Sequence, residues 1–285
     1  MIPVSVEQTE DFRPMKNVTL ALLLLAGCAS SSRPAEMADG TLSLHARRGE
    51  KNETLSWKAS ETAVIICDMW DTHTCQGAAK RVADMAPKLN AFITAARKQG
   101  VLIIHAPSDV IKFYDGTPQR QRVKDAPLAK ASIPFKWNRL DPTREGPLPI
   151  DDSDWCDCTP KCPINEIVKK GWPWKRQIET IEIAAEDGVS ADGQEIYNLF
   201  QQRGIQNVIM TGVHTNMCVL GRSFGIRQMV MIGKNVVLAR DLTDGLYDPR
   251  KPPHVSHDEG VGLLIGHIER YWCPSIPSSD LLGRN

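Results

Sequence analysis

Gly212-Val213-His214-Thr215-Asn216-Met217-Cys218-Val219-Leu220 joins an apolar run, Val208-Ile209-Met210, to an amphipathic run from Asn216 to Met229. The first reads as a buried strand and the second as a helix. Cys218 then falls near the first turn of a helix that leaves a strand end. Unpaired N–H groups and the helix dipole favour negative charge there, so a thiol at that place tends to have a lowered pKa. A thiolate is the attacking form of cysteine. The other reading is a small buried hydrophobe, the usual fate of a free cysteine.

Outward from this stretch, apolar runs and helical periods alternate. Ala63-Val64-Ile65-Ile66-Cys67 is a strand covered on both faces, ending at Asp68. Ala78 to Lys98 has helical spacing and stops at Gly100. Val101-Leu102-Ile103-Ile104 is the next strand and ends at His105; Thr180-Ile181-Glu182-Ile183 is expected as the third. Glu195 to Arg203 is a helix closed by Gly204, Gln206 to Thr211 the fourth strand, Asn235 to Ala239 the fifth, and His257 to Tyr271 a long helix. Upstream, Thr41 to Ala46 alternates apolar and polar residues like a half-exposed strand. The pattern predicts an α/β fold: a three-layer, mostly parallel, Rossmann-like sheet with helices on both faces. Pro107 to Lys175 lacks periodicity, and a connection that long usually has a function.

The chain has 285 residues, with 34 basic and 34 acidic side chains, so no electrostatic footprint for nucleic acid is present. Met15-Lys16-Asn17 followed by the apolar run Val18 to Ala26 and by Leu25-Ala26-Gly27-Cys28 resembles a bacterial lipobox. The expected organisation is a lipoprotein signal region at 1–28, a flexible tether at 29–40, and a hydrolase-type domain at 41–285 with a long insert at about 107–178. Cleavage before Cys28 would leave an exported protein held to a bacterial membrane, on the periplasmic side or cell surface, by a lipid on that cysteine. An oxidising compartment permits disulfides. Cys156, Cys158 and Cys162 cluster in the insert, as a disulfide staple or a zinc site lacking a placed fourth ligand, with the staple preferred.

Ligands of open parallel sheets sit outside the carboxyl ends of the strands. Asp68, Trp70, Asp71, His105 and the turn from Val213 to Cys218 are delivered there. Asp68 is a candidate general base for the Cys218 thiol, or a helix cap. Trp70, Trp137, Trp172 and Trp174 are candidates to wall a pocket or to pin loops, and Asp241 to Gly245 to border the cleft. Asp71-Thr72-His73 is a weak metal motif, and no metal or other cofactor is assigned. The charged residues around Arg222, Arg227, Lys234 and Arg240 read as a solvated rim.

The turn from Gly212 to Val219, after a first strand that ends in Asp68, resembles the nucleophile segment of the isochorismatase-like cysteine hydrolases, a superfamily that includes nicotinamidases and N-carbamoyl amide hydrolases. The resemblance runs from about Ala63 to Arg240. It implies an isochorismatase-like fold, a small-molecule substrate, Cys218 as nucleophile, Asp68 as base, and a cis peptide at Val213–His214. It also implies an oxyanion hole from the backbone N–H groups of His214 and Cys218; Trp70 and His105, from their place at the strand ends, are the candidate substrate-pocket residues. The implied reaction is hydrolysis of a small amide or carbamoyl C–N bond through a thioester, and a homo-oligomer is compatible with it. The family's catalytic lysine has no counterpart, because Glu186 and Asp187 stand at its expected place; Lys175 or Lys136 from the insert are the candidate replacements. That departure keeps open an inactive binding or scaffold protein on the same fold, and Asp71 and His73 a metal-dependent hydrolase.

Overall fold

The computed structural model describes residues 40–282, so the expectations for the signal region, Cys28 and nearly all of the tether fall outside the described residues. The strands are β1 (Thr41–Arg48), β2 (Lys51–Lys58), β3 (Thr62–Cys67), β4 (Leu102–Ala106), β5 (Gly188–Val189), β6 (Asn207–Val213), β7 (Asn235–Asp244) and β8 (Ser275–Ile276). The helices are α1 (Gln76–Lys98), α2 (Pro118–Lys124), α3 (Ile164–Lys169), α4 (Gly193–Arg203), α5 (Ile226–Met231), α6 (His257–Tyr271) and α7 (Ser279–Leu282).

All eight strands form one sheet in the order β2-β1-β8-β7-β6-β3-β4-β5. The six from β3 to β8 pair in parallel, and β1 with β2 adds an antiparallel hairpin at one edge. Successive side chains of a strand face opposite ways. Ala63, Ile65 and Cys67 therefore join one core with residues of α2, α4, α5 and α6. Val64 and Ile66 join the other with α1, α7 and the inner face of β1. This is the three-layer arrangement the alternation of runs predicts. Capping side chains fix the helix boundaries. Asp192 accepts from Glu195 N and Gly204 closes α4 in a left-handed conformation, while Ser256 and Glu259 cap α6 reciprocally.

Two expectations are corrected. Thr180 to Ile183 is not a strand; β5 lies farther on, at Gly188–Val189, pairing with Ile104 and His105. The earlier segment is tied to α1 instead: Glu182 N donates to Asn90 Oδ1 and the Glu182 carbonyl accepts from Arg97. The helix expected from Asn216 to Met229 is broken in two. Thr215–Val219 is a π-helical turn and α5 begins only at Ile226. Between them the Gly221 carbonyl is drawn away to the Asn138 N–H of the insert, at 2.6 Å, which stops the helical ladder. The insert itself carries only α2, α3 and a short turn at Ile111–Tyr114, but is anchored by Glu145, whose buried carboxylate accepts from Arg227, His267 and Trp272.

Candidate active site

The chain builds β3, β4 and β5 toward one edge, then returns to lay β6 on the opposite side of β3. The carboxyl ends of β3 and β6 are thus the switch point where a crevice opens in such sheets. Asp68 follows β3 and His214 follows β6. The two strands approach closely here. A Cβ on Gly212, whose φ is +93°, would lie 2.1 Å from the Cys67 carbonyl oxygen. Glycine satisfies both demands at once.

Asp68 is fully buried and has a left-handed φ of +49°, uncommon for a residue with a side chain. Its Oδ1 accepts from Ser108 N at 2.7 Å and its Oδ2 from Arg222 Nε at 3.3 Å. The Cys218 thiol stands near the same carboxylate, whose charge acts on it. Arg222 extends its other arm to Asp109 at 3.2 Å and lies over the Trp137 ring. One carboxylate is therefore shared by a thiol, a guanidinium and a backbone N–H. Neither Asp68 nor Cys218 acts as a helix cap.

The cation is the principal correction at the site. Arg222 is no solvated rim residue; it is the positive charge facing Asp68. The candidates named for that place do other things. Glu186, Lys175 and Lys136 are exposed. Asp187 is buried away from Asp68, receiving Arg97 and His105. The sequence signal for Arg222 was its spacing, four residues after Cys218, which puts two side chains on one helical face. Ser108, just beyond the end of β4, carried no comparable signal.

Charge balance in the site follows from burial. Burial pushes the Cys218 thiol well above its ordinary pKa, the neighbouring Asp68 charge adds to this, and Arg222 opposes it. The lowered pKa expected from a helix start is overridden, since the thiol sits in a desolvated π turn beside a carboxylate. Burial also raises the Asp68 carboxyl, against the pull of Arg222. The sulfur therefore keeps its proton near neutral pH, while Arg222 opposes the upward push of burial on the Asp68 carboxyl.

The Val213–His214 peptide is cis, as the resemblance implies. The His214 carbonyl accepts from Met217 and Val219, the N–H groups on either side of that of Cys218. Thr243 Oγ1 bonds both the Gly212 carbonyl and Thr215 Oγ1, and the Asn216 side chain bonds Leu246 through both its carbonyl and its amide. The turn is thereby fastened to the end of β7. Thr243 and Asp244 border it as expected, with Leu246 just beyond the expected stretch, but Asp241 does not: it pairs with Lys88 and Ser278.

An aromatic group stands beside the turn. Trp70 stacks on Trp174 at 4.2 Å and lies 5.9 Å from the His214 ring; His73 lies 4.8 Å from His214 and 5.5 Å from Trp155. Burial depresses the basicity of both histidines, His73 to about 4, so both rings are neutral near pH 7. His214 Nε2 and Ser108 Oγ are buried with no hydrogen bond among the described residues. Trp172 and Trp137 are largely exposed. His105 is corrected as a pocket residue: fully buried, its ring binds Gln177 at 3.0 Å and Asp187 at 2.9 Å. Asp71, whose Oδ1 accepts from Lys175 N, does not converge with His73 and His105 into a ligand set.

The chain matches no protein-family model and no curated protein. Among solved structures it resembles a cysteine hydrolase from Pseudomonas syringae pv. phaseolicola, with 17% identity over 79% of this chain and 92% of that one and a TM-score of 0.50. An isochorismatase family protein from Desulfovibrio vulgaris follows at 15% identity, covering 79% and 99%, TM-score 0.42. The nicotinamidase of Staphylococcus aureus is 11% identical, covering 74% and 94%, TM-score 0.39. What this chain shares with the Pseudomonas syringae protein is the fold: a mixed α/β core on a mostly parallel sheet.

Proposed function

We propose that this protein hydrolyses a small amide or carbamoyl C–N bond, with Cys218 as nucleophile and Asp68 as general base. The observation that carries this reading is the single carboxylate shared between the Cys218 thiol and the Arg222 guanidinium at the switch point of the sheet. In this reading Asp68 takes the thiol proton as sulfur bonds to the carbonyl carbon. The developing oxyanion is held by the N–H groups of His214 and Cys218. The protonated Asp68 then gives its proton to the departing nitrogen, leaving a thioester and free ammonia or amine. Water, deprotonated by Asp68, cleaves the thioester to a carboxylic or carbamic acid and restores the thiol. Arg222 takes the part that the resemblance gives to a lysine and holds the charge of Asp68 during proton transfer. Trp70, His73 and His214 suit a small flat substrate, with His214 Nε2 and Ser108 Oγ as polar contacts.

The test is ammonia release from a panel of small aromatic amides and N-carbamoyl amino acids, with intact mass spectrometry of the trapped acyl-enzyme. Cys218→Ala and Asp68→Asn are expected to lose both turnover and adduct. Turnover by Cys218→Ala at the level of the unmodified protein would end the proposal. A binding protein on the same fold is the second reading, favoured by the 5% exposure and raised pKa of Cys218. It predicts substrate-analogue binding that Cys218→Ala leaves unchanged and no acyl adduct. Export and anchoring through Cys28 are also proposed, on the lipobox-like run alone; a membrane fraction whose protein carries no lipid on Cys28 would overturn them.

A further inference from the structure

Cys156, Cys158 and Cys162 acquire in three dimensions the partner their own segment lacks. Cys75, at the start of α1, brings its sulfur among theirs, and the four Sγ atoms all lie within 4.8 Å of one another. All four cysteines are unbonded, and Cys75 Sγ is 3.7 Å from Cys158 Sγ. A tetrahedral ion with metal–sulfur bonds of about 2.3 Å sets its sulfurs about 3.8 Å apart, whereas a disulfide requires about 2.05 Å. Four sulfurs with mutual spacing of this size suit one central ion better than two covalent pairs.

The surroundings are built for negative sulfur. Gly77 N donates to Cys158 Sγ at 3.2 Å, Gln76 N to Cys162 Sγ at 3.4 Å and Cys162 N to Cys156 Sγ at 3.5 Å. Such N–H···S bonds orient and stabilise thiolate ligands. A Cβ at Gly77 would fall 2.5 Å from Asp157 Oδ1, so that carboxylate would have to shift. Arg250 donates to the carbonyls of Cys156 and Cys158 at 2.9 and 3.2 Å, and Arg81 pairs with Asp157. One acceptor competes for a sulfur: Asp157 Oδ1 lies 3.5 Å from Cys75 Sγ.

We propose that Cys75, Cys156, Cys158 and Cys162 bind one zinc ion as a tetrahedral tetrathiolate, a closed structural site that fastens the insert to α1. Binding releases four protons and leaves the site with two net negative charges; Arg81 and Arg250 stand nearby, each also paired with carboxylates, Asp157 and Asp244 for the one and Asp248 for the other. With four protein ligands no position is open for substrate. The ion acts on the proposed active site only through position. Met217, the neighbour of Cys218, packs against the cysteine group, and Trp155 leans on His73. The inference does not depend on the proposed hydrolase activity.

Elemental analysis of the purified full chain is expected to give about one zinc per chain. Titration with an organomercurial should release it as four thiols are consumed, with no release before mercurial is added. Chelation by phenanthroline should lower the melting temperature. Cys158→Ser should lose most of the zinc; should that variant fail to fold, the mercurial titration of the unaltered chain decides alone. Zinc-free protein whose four thiols titrate freely would overturn the proposal. So would two disulfides among these residues in a non-reducing digest, or iron in place of zinc.

Discussion

Replacing Arg222 by methionine tests the reasoning about the site most directly. The guanidinium Nε lies 3.3 Å from Asp68 Oδ2, and Asp68 is fully buried. At an effective dielectric constant of about 20, unit charges at that separation attract by about 5 kcal/mol. Arg222 is partly exposed and shares its charge with Asp109, so roughly 2 to 3 kcal/mol is a fairer figure for what it contributes to a negative charge in the site. Both ionisable groups respond in the same sense. Without Arg222 the largest opposition to burial is lost, and the Asp68 carboxyl and the Cys218 thiol both move further up. At a fixed pH near neutrality the reactive thiolate becomes scarcer by roughly 30- to 150-fold, since 1.4 kcal/mol is a factor of ten. The assay is the rate of alkylation of Cys218 by iodoacetamide, followed by peptide mass spectrometry over about pH 6 to 10. The Arg222→Met profile should lie to the alkaline side of the unaltered protein's, and its rate near pH 7 should fall by that factor. Arg222→Lys should recover most of the loss, because it restores the charge though not the fork. Equal rates and coincident profiles for Arg222→Met and the unaltered protein, both shown folded by circular dichroism, would refute the assignment of Arg222.

Two further outcomes concern the frame around the site. Gly212→Ala places a methyl 2.1 Å from the Cys67 carbonyl at a positive φ, so β3 and β6 must separate; a loss of about 4 kcal/mol or more is expected in urea unfolding, and a loss under about 1 kcal/mol would contradict the close approach. Glu145→Gln leaves Arg227 buried without its counter-ion and should cost about 3 kcal/mol. Burial alone would raise the Glu145 carboxyl, but Arg227, His267 and Trp272 hold it at about 2, below its ordinary 4.5. A depressed acid contributes stability above its unfolded pKa and loses it as pH falls through the folded one. The unaltered protein should therefore lose stability between about pH 4.5 and 2 more steeply than Glu145→Gln; parallel acid limbs in pH-dependent melts would remove Glu145 from that role.

Much of the architecture was legible because it rests on local periodicity. Continuous apolar runs marked β3, β4, β6 and β7, and Gly100 and Gly204 marked the ends of α1 and α4. The failures share one cause. Thr180 to Ile183 has the composition of a strand, but Asn90 and Arg97 of α1 claim its backbone groups. The helix after Cys218 has unbroken amphipathic spacing, but Asn138 takes the Gly221 carbonyl. Each competitor lies about 80 to 90 positions away in the chain, beyond the reach of any local pattern.

The sequence by itself determined the parallel α/β sheet and the delivery of Asp68 and Cys218 to the carboxyl ends of its strands, because strand period is written in neighbouring residues. Only the tertiary structure decided that Arg222 supplies the cation, that His105 belongs to a buried network with Asp187, and that Cys75 joins the three cysteines of the insert. It also reversed the expected pKa shift of Cys218. These are matters of charge and distance between segments remote in the chain, and desolvation at a crowded strand end outweighs what a helix terminus alone would do.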